Sequence, residues 1–331
     1  MDEQSGYGLL RETCEELFAV GKAVSGIGEQ GVESAQTADT ILPQGKAVSP
    51  LTAARCAREF ARTSRFIRGL HAVLLKAQSR CDGQTIHMLY AGCGPYATLI
   101  LPLLPYLPRD GFRFTLIDIH PLALDGARKA IAHFGYDEFI RDYLLTDACS
   151  ADFAARQPFQ VAVTETMNLA MEKEPQLAVS ANLVKHLEPD GILVPEQITV
   201  TATLLDSGRE FTVLPADHQG EIPPLQRRRL KLGTVMELNQ AALKEFNPEN
   251  AATHLPPVSV PWPDKTERDN MRPALLTYIR VFGEHDLSCY DCSLTLPKYL
   301  RVGATPDVAS ELVFSYRLGE IPGFEYSVAD G

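Results

Sequence analysis

The stretch Tyr90-Ala91-Gly92-Cys93-Gly94-Pro95-Tyr96 constrains the fold of this chain more than any other. An apolar run over 86–90 precedes it and has the profile of a buried strand. The two glycines allow a sharp turn and a close approach of ligand to backbone. The apolar residues 97–101 that follow are compatible with a helix, so we predict the first half of a nucleotide-binding βαβ unit. The spacing Gly92-x-Gly94-x-x-Ala97 also fits a dinucleotide fingerprint, which leaves the ligand open at this point.

Strand-like and helix-like patterns alternate around this turn. Helices are predicted over 7–24, 50–78, 121–134 and 175–187, and buried strands over 112–118, 143–148, 159–165 and 192–195, with a turn over 188–191. Such alternation is typical of a parallel sheet with right-handed crossovers.

The pattern changes after residue 196. Strand-like runs with period-2 alternation are predicted over 198–205, 210–214, 275–283, 287–296 and 311–327, with a helix over 235–246 and a proline-rich loop over 247–266. This half is predicted to form an antiparallel sandwich or barrel-like unit. The predicted fold is α/β, with N-terminal helices over 1–80, a Rossmann-like domain over 81–197 and a β-rich C-terminal domain over 198–331.

Composition excludes several classes of function. The net charge of -11 argues against a nucleic-acid partner, because a phosphate-binding face needs clustered basic residues. Of the seven cysteines only Cys289 and Cys292 are closely spaced, so no metal site is predicted and a reduced cytoplasmic protein is expected. No segment approaches the roughly 18 apolar residues that a membrane span requires, so no membrane partner is expected.

Acidic residues follow the ends of two predicted strands. Asp118 comes 24 residues after Gly94, where a carboxylate can accept hydrogen bonds from both hydroxyls of a ribose. Asp147 ends the third predicted strand and can accept from an adenine amino group, with Ala148 leaving space for the ring. The alternatives are an ordinary turn acid for Asp118 and a helix-capping aspartate for Asp147.

A third set of polar residues follows the fourth predicted strand. Glu165 ends that strand, where catalytic and binding groups of such sheets collect, and it could orient or deprotonate an amine. Asn168 could orient the same amine. Glu174 comes nine residues after Glu165 and directly precedes Pro175, so it is either a functional acid or a favourable charge at a helix N-terminus.

In this order, the motifs resemble those of class I S-adenosylmethionine-dependent methyltransferases over about residues 50–200. The organisation is similar to that of protein arginine methyltransferases in the glutamate spacing, in the exit Pro195-Glu196-Gln197-Ile198-Thr199-Val200, and in the β-rich half that follows. Two departures disfavour guanidinium methylation. Asn168 stands where the arginine enzymes have glycine, and Thr253-His254-Leu255 lacks the tryptophan of their Thr-His-Trp motif.

The resemblance implies that S-adenosylmethionine is the cofactor and that the N-terminal helices cap it. The glycines would approach its methionine part, an arginine of the helix before the first strand would cover its carboxylate, and aromatic rings such as Tyr96 and Phe66 could hold the sulfonium by cation–π attraction. The implied cofactor-binding residues are Arg62, Arg65, Ala91, Gly92, Gly94, Tyr96, Asp118, Asp147, Ala148 and Glu165. The implied catalytic residues are Glu165, Asn168 and Glu174.

These motifs leave four candidate functions, two of which are disfavoured. The first is methyl transfer to an amine-type or amino-acid-like small molecule. The second is cleavage of the cofactor itself, because the chain also resembles bacterial azetidine-2-carboxylate synthases, which cyclise S-adenosylmethionine and release methylthioadenosine. A non-catalytic sensor is disfavoured by the intact motifs, and nicotinamide-dependent hydride transfer by Asp147-Ala148. A homodimer is compatible with each of these functions.

Overall fold

A computed structural model describes residues 3–29, 34–81, 83–153, 158–211, 225–246, 253–302 and 310–329. Its helices are α1 (Glu3–Ser25), α2 (Ser34–Thr37), α3 (Pro50–Cys56), α4 (Phe60–Arg80), α5 (Pro121–His133), α6 (Gln176–Val184) and α7 (Gln240–Glu245). Its strands are β1 (Thr40–Leu42), β2 (Gly45–Ala47), β3 (Ile86–Ala91), β4 (Phe112–Asp118), β5 (Ile140–Leu145), β6 (Phe159–Thr164), β7 (Leu187–Val194), β8 (Gln197–Leu205), β9 (Arg229–Asn239), β10 (Val258–Trp262), β11 (Arg272–Phe282), β12 (His285–Leu287), β13 (Lys298–Tyr299), β14 (Ser310–Arg317) and β15 (Gly323–Ala329).

A five-stranded parallel sheet in the order β5-β4-β3-β6-β7 forms the first half. Its inner strands are buried on both faces, which explains their continuous apolar runs. From β3 the chain runs outward through β4 to β5 on one side and then crosses back to β6 on the other side of β3, so the topological switch point lies between β3 and β6. Ligands of open α/β sheets bind outside the carboxyl ends of the strands at such a point.

Helix α4 packs between the parallel sheet and the antiparallel half. Its buried face includes Phe66, Leu70, Val73 and Leu74, at helical spacing. On the same helix, a Cβ on Gly69 would lie 2.5 Å from Val281 Cγ1 of β11, so only glycine permits this approach.

The second half contains two antiparallel sheets. One has the order β12-β11-β8-β9, with β13 paired to β11, and the other has the order β10-β14-β15. The predicted fold class, a Rossmann-like sheet followed by an antiparallel β-rich half, is therefore confirmed. Among the described residues, no helix combines the length and apolarity needed to cross a membrane.

Two predicted helices differ from the structure. The helix predicted over 50–78 is interrupted between α3 and α4, where the Thr63 hydroxyl donates to the carbonyls of Cys56 and Ala57 at 3.2 and 3.3 Å. The helix predicted after the glycine turn is wrong, because residues 95–103 form successive turns. Ala97 has a left-handed φ of +47°, and Pro102 lacks the amide hydrogen that a helix would use.

Several strand predictions also need correction. The third strand ends at Leu145, and the turn predicted over 188–191 is an irregularity within β7, where Phe159 pairs with Leu187 but Val161 pairs with Ile192. Residues 235–239 complete β9 before α7 begins, and most of 287–296 is not strand. The predicted loop contains β10, an edge strand that tolerates proline. Residues 212–214 and 247–252 lie outside the described residues.

Candidate active site

A cavity of about 320 Å³ lies at the carboxyl ends of the parallel strands. Residues that follow β3, β4, β5 and β6 line it, together with the N-terminal part of α4, the β1–β2 hairpin, and Ser293 and Leu294 from the antiparallel half. Of the predicted site residues, the cavity brings together Arg62, Gly92, Gly94, Asp118, Asp147, Ala148, Glu165, Asn168 and Glu174.

The glycine turn after β3 forms one wall of this cavity. Gly92 and Gly94 have φ angles of +70° and +61°, a conformation that side chains with a Cβ rarely adopt. A Cβ on Gly92 would also lie 2.7 Å from Thr166 Cγ2. Both glycines are therefore required by the local backbone, and their lack of side chains leaves the turn open to the cavity.

Asp118 is the last residue of β4, and two backbone amides hold its carboxylate in place. Its Oδ2 accepts from the Gly94 amide and its Oδ1 from the His120 amide, each at 2.9 Å. Burial raises the pKa of this carboxyl, and the two amide donors oppose that rise. A carboxylate has about four acceptor positions. The Gly94 and His120 amides take two of these positions, which leaves acceptor capacity for a ligand.

The loop after β5 carries Asp147 and Ala148. Asp147 follows the end of β5 by two residues, and its Oδ1 accepts from the Cys149 amide at 2.8 Å, which forms an Asx turn. Asn182 of α6 donates its side-chain amide to the carbonyls of Ala148 and Ala151 at 3.0 and 2.9 Å. Our sequence reasoning missed Asn182, although a polar residue between the apolar Ala181 and Leu183 was a usable signal.

Glu165 lies in the same cavity, beside the buried Arg62. Its Oε2 accepts a hydrogen bond from the buried Arg62 guanidinium, while its Oε1 is buried and has no hydrogen-bond partner among the described residues. Burial raises the pKa of Glu165, and the Arg62 charge opposes the rise. An unpaired buried oxygen is costly, so Oε1 is the strongest indication of a ligand donor in this cavity.

Glu59 links Arg62 to the antiparallel half. Its carboxylate accepts from Arg62 Nη1 at 3.2 Å, and from the amide and hydroxyl of Ser293 at 2.9 and 2.8 Å. Arg62 thus lies between two carboxylates, those of Glu59 and Glu165. Sequence reasoning missed both Glu59 and Ser293, because 234 positions separate the partners.

Glu174 lies just before α6, whose first residue is Gln176. Burial, and then the nearby charge of Glu165, raise the pKa of Glu174 to about 7. The side chain of the fully buried Gln176 accepts from the Thr166 amide at 2.8 Å, which fixes the backbone directly after Glu165. Asn168 contacts the cavity, and its Oδ1 accepts from the Leu169 amide at 2.7 Å.

Three predicted cofactor residues lie outside the lining of this cavity. Tyr96 is fully buried beneath α1, where its hydroxyl donates to the Ile27 carbonyl at 2.6 Å and its ring lies 5.9 Å from that of Phe18. Tyr96 therefore lies outside the cavity lining, and its contact with the cofactor stays a prediction. Arg65 on α4 and Ala91 in β3 are also absent from the lining. The aromatic residues that line the cavity are Phe66 and Tyr90, of which Tyr90 was not predicted.

Cysteines line part of the cavity without forming a metal centre. Cys56, Cys93 and Cys149 are free thiols, and burial raises the pKa of Cys56 to about 11. Within the described ranges, no group of three histidine, cysteine or acidic residues could hold a metal ion.

No protein-family model matches the chain, and neither does any curated protein. Among solved structures, the chain is similar to a Trypanosoma brucei complex described as a PRMT1 enzyme–prozyme heterotetramer with AdoHcy. The sequence identity is 11% and the TM-score is 0.47, over 82% of this chain and 96% of that chain.

Proposed function

We propose that this chain is an S-adenosylmethionine-dependent enzyme that transfers a methyl group to an amine-type or amino-acid-like small molecule. One observation carries the proposal. Four parallel strands bring the Gly92–Gly94 turn, Asp118, Asp147 and Glu165 to a single cavity at the switch point of the sheet.

The residues of the cavity fit this cofactor. Asp118 keeps free acceptor positions for the two ribose hydroxyls, and the turn at Gly92 has no side chain where the methionine part would approach. Asp147 and Ala148 would receive the adenine, and Arg62 would pair with the carboxylate. When bound, S-adenosylmethionine supplies a methyl group made electrophilic by its sulfonium centre.

The chain's own acids would act on the acceptor amine. Glu165 Oε1 is a buried acceptor with no hydrogen-bond partner in the part of the chain that the structure describes, so it can receive an N–H of the amine and orient the lone pair. Glu174 has a pKa of about 7 and can therefore take up a proton near neutral pH as a general base. The apolar walls at Phe66 and Val179 exclude water from the same space.

All three predicted regions contribute to this cavity. Lys46 and Arg62 come from residues 1–80, Asp118 from 81–197, and Ser293 from 198–331. We propose that the three regions act as one catalytic unit.

A second candidate is cyclisation of S-adenosylmethionine by its own α-amine, and the cavity volume favours it. Ligand pockets span roughly 300 to 1,000 Å³. The cavity, at about 320 Å³, is therefore close to the size of a single ligand. In that reaction Glu165 would orient the α-amine of the cofactor instead of an acceptor amine.

Mass spectrometry of the products separates the two candidates. The purified protein is incubated with S-adenosylmethionine alone and then with a panel of primary amines and amino acids. S-adenosylhomocysteine that appears only with an acceptor supports methyl transfer, whereas methylthioadenosine formed without an acceptor supports cyclisation. Neither product, together with no binding of S-adenosylmethionine by calorimetry, would refute the proposed function.

Glu165→Gln provides the catalytic test. The variant keeps the shape of the side chain but loses its charge, so we expect intact cofactor binding and roughly a hundredfold loss of turnover, the cost of a misplaced reacting group. Glu188→Gln on the neighbouring strand β7 is the matched control, since Glu188 lies outside the cavity lining. Turnover by Glu165→Gln within threefold of wild type would remove Glu165 from the chemistry.

A further inference from the structure

The segment between Glu165 and Glu174 has an unusual backbone. Ala170, Met171 and Lys173 have φ angles of +52°, +59° and +67°, in the left-handed region that residues other than glycine rarely adopt. Backbone of this kind persists only where its surroundings hold it in place, and it collects at functional sites. We call residues 168–174 the acidic loop, because it ends at Glu174.

Contacts from the C-terminal strands hold the outer side of the acidic loop. The hydroxyl of Tyr316 on β14 donates to the Met171 carbonyl at 2.5 Å, and the Lys173 amide donates to the Pro322 carbonyl at 2.7 Å. Lys298 also forms an ion pair with Glu172. These contacts come from three separate segments of the antiparallel half.

The β1–β2 hairpin holds the loop from the opposite side. The Lys46 amide donates to the Lys173 carbonyl at 2.6 Å. A Cβ on Gly45, whose φ is +145°, would lie only 2.8 Å from the Pro175 nitrogen. The loop is therefore fixed between the hairpin and the C-terminal strands, with Asn168 and Glu174 at the cavity.

The surroundings of Tyr316 hold its hydroxyl as a fixed hydrogen-bond donor. Its side chain is buried, and its ring lies 5.1 Å from the ring of Phe324 on β15 in an edge-to-face arrangement. Burial raises the pKa of Tyr316 above its usual value, so the hydroxyl stays protonated. Its acceptor is the carbonyl of Met171, the second of the three left-handed residues in the loop.

We propose that Tyr316 is a positioning residue for the proposed reaction, and that the C-terminal strands hold the acidic loop in its left-handed conformation so that Asn168 and Glu174 face the cavity. The inference rests on the proposed function for its catalytic consequence. It gives the antiparallel half a role in the active site beyond closing the cavity.

Hydrogen exchange of the acidic loop tests the contact without any assay of activity. In Tyr316→Phe, amide exchange over 168–174 should become roughly tenfold faster, the factor that one net hydrogen bond supports. Tyr326→Phe on the neighbouring strand β15 is the matched control, because the Tyr326 hydroxyl accepts from the Arg301 amide instead of donating to a carbonyl of the loop. Unchanged exchange in Tyr316→Phe would overturn the proposal.

The catalytic part of the proposal needs binding and turnover measured together. Tyr316→Phe should bind S-adenosylmethionine within twofold of wild type, since Asp118 and Asp147 are not in the loop, while its conversion to either product falls about tenfold. Faster exchange with unchanged turnover would refute the positioning role. A wild-type protein that does not bind S-adenosylmethionine would refute the proposed function instead, and the exchange result would still decide the contact.

A second variant covers the case in which Tyr316→Phe does not fold. Lys298→Gln removes the ion pair with Glu172 at a partly exposed position, so the fold should survive. It should accelerate exchange over 168–174 by roughly threefold, a smaller factor because a partly exposed ion pair is weaker. No change in that exchange would count against the C-terminal strands as the element that holds the loop.

Discussion

Replacing Glu174 by glutamine should stabilise the ligand-free protein at high pH. The pKa of Glu174 rises from an ordinary value of 4.5 to about 7 in the folded protein, mainly because of burial. The folded state therefore binds a proton at this site more tightly than the unfolded state does. That stabilisation is fully present below pH 4.5 and is lost as the pH rises through 7.

The size of the effect follows from the pKa shift. Each pKa unit corresponds to about 1.4 kcal/mol, so the shift amounts to roughly 3 kcal/mol of unfolding free energy. Because Glu174 keeps some exposure to solvent, screening reduces this to about 2 kcal/mol. We therefore expect Glu174→Gln to be more stable than wild type by about 2 kcal/mol at pH 8 and nearly equal to it at pH 4.5.

Urea unfolding at pH 4.5, 6, 7 and 8 measures this difference in stability. The exposed Glu320 supplies the matched control, since Glu320→Gln should follow the wild type at every pH. Glu165 and Asp118 also have raised pKa values, but they are present in all three proteins and largely cancel in the comparison. A Glu174→Gln variant whose stability parallels that of wild type from pH 4.5 to 8 would refute the assignment of a buried, proton-binding Glu174.

Three further variants test the assignments around the cavity. Asp118→Asn leaves either the Gly94 or the His120 amide facing an NH2 group, so S-adenosylmethionine should bind at least tenfold more weakly by calorimetry. An unchanged affinity in the folded variant would remove Asp118 from the site. Tyr96→Phe loses the bond to the Ile27 carbonyl and should lower the midpoint of thermal unfolding without altering that affinity; a tenfold weaker affinity would return Tyr96 to the cofactor site. Asn182→Ala releases two carbonyls of the loop after β5 and should weaken adenosine binding roughly threefold or more, whereas adenosine binding equal to wild type would show that the loop keeps its shape alone.

Residues at strand ends could be predicted from the sequence because they depend on local pattern. Continuous apolar runs predict buried strands, and the carboxyl ends of parallel strands all lie at the same edge of the sheet. Asp118 and Glu165 were therefore expected at one site before any pairing was known, and the structure brings them to the same cavity. The glycine turn could be predicted for the same reason, since its left-handed angles belong to two glycines only one residue apart.

Other positions depend on contacts that no local pattern contains. Tyr96 follows the glycine turn closely, but the left-handed Ala97 belongs to a series of turns rather than a helix, and the Tyr96 ring packs beneath α1. In the sequence, Gln176 is an ordinary first residue of a helix. Its hydrogen bond from the Thr166 amide depends on the tertiary fold. The role of Tyr316 depends equally on a partner 145 positions away.

The hydrogen bonds between Glu59 and Ser293 join positions 234 residues apart, which has a consequence for the order of folding. Closing a loop of that length costs about 5 kcal/mol of chain entropy by the logarithmic rule. Contacts so distant in the chain form late, after the more local pairings have been made. The parallel sheet can therefore form while the cavity still lacks a wall, and a nascent chain has no complete site until residue 293 has been synthesised and has left the ribosome.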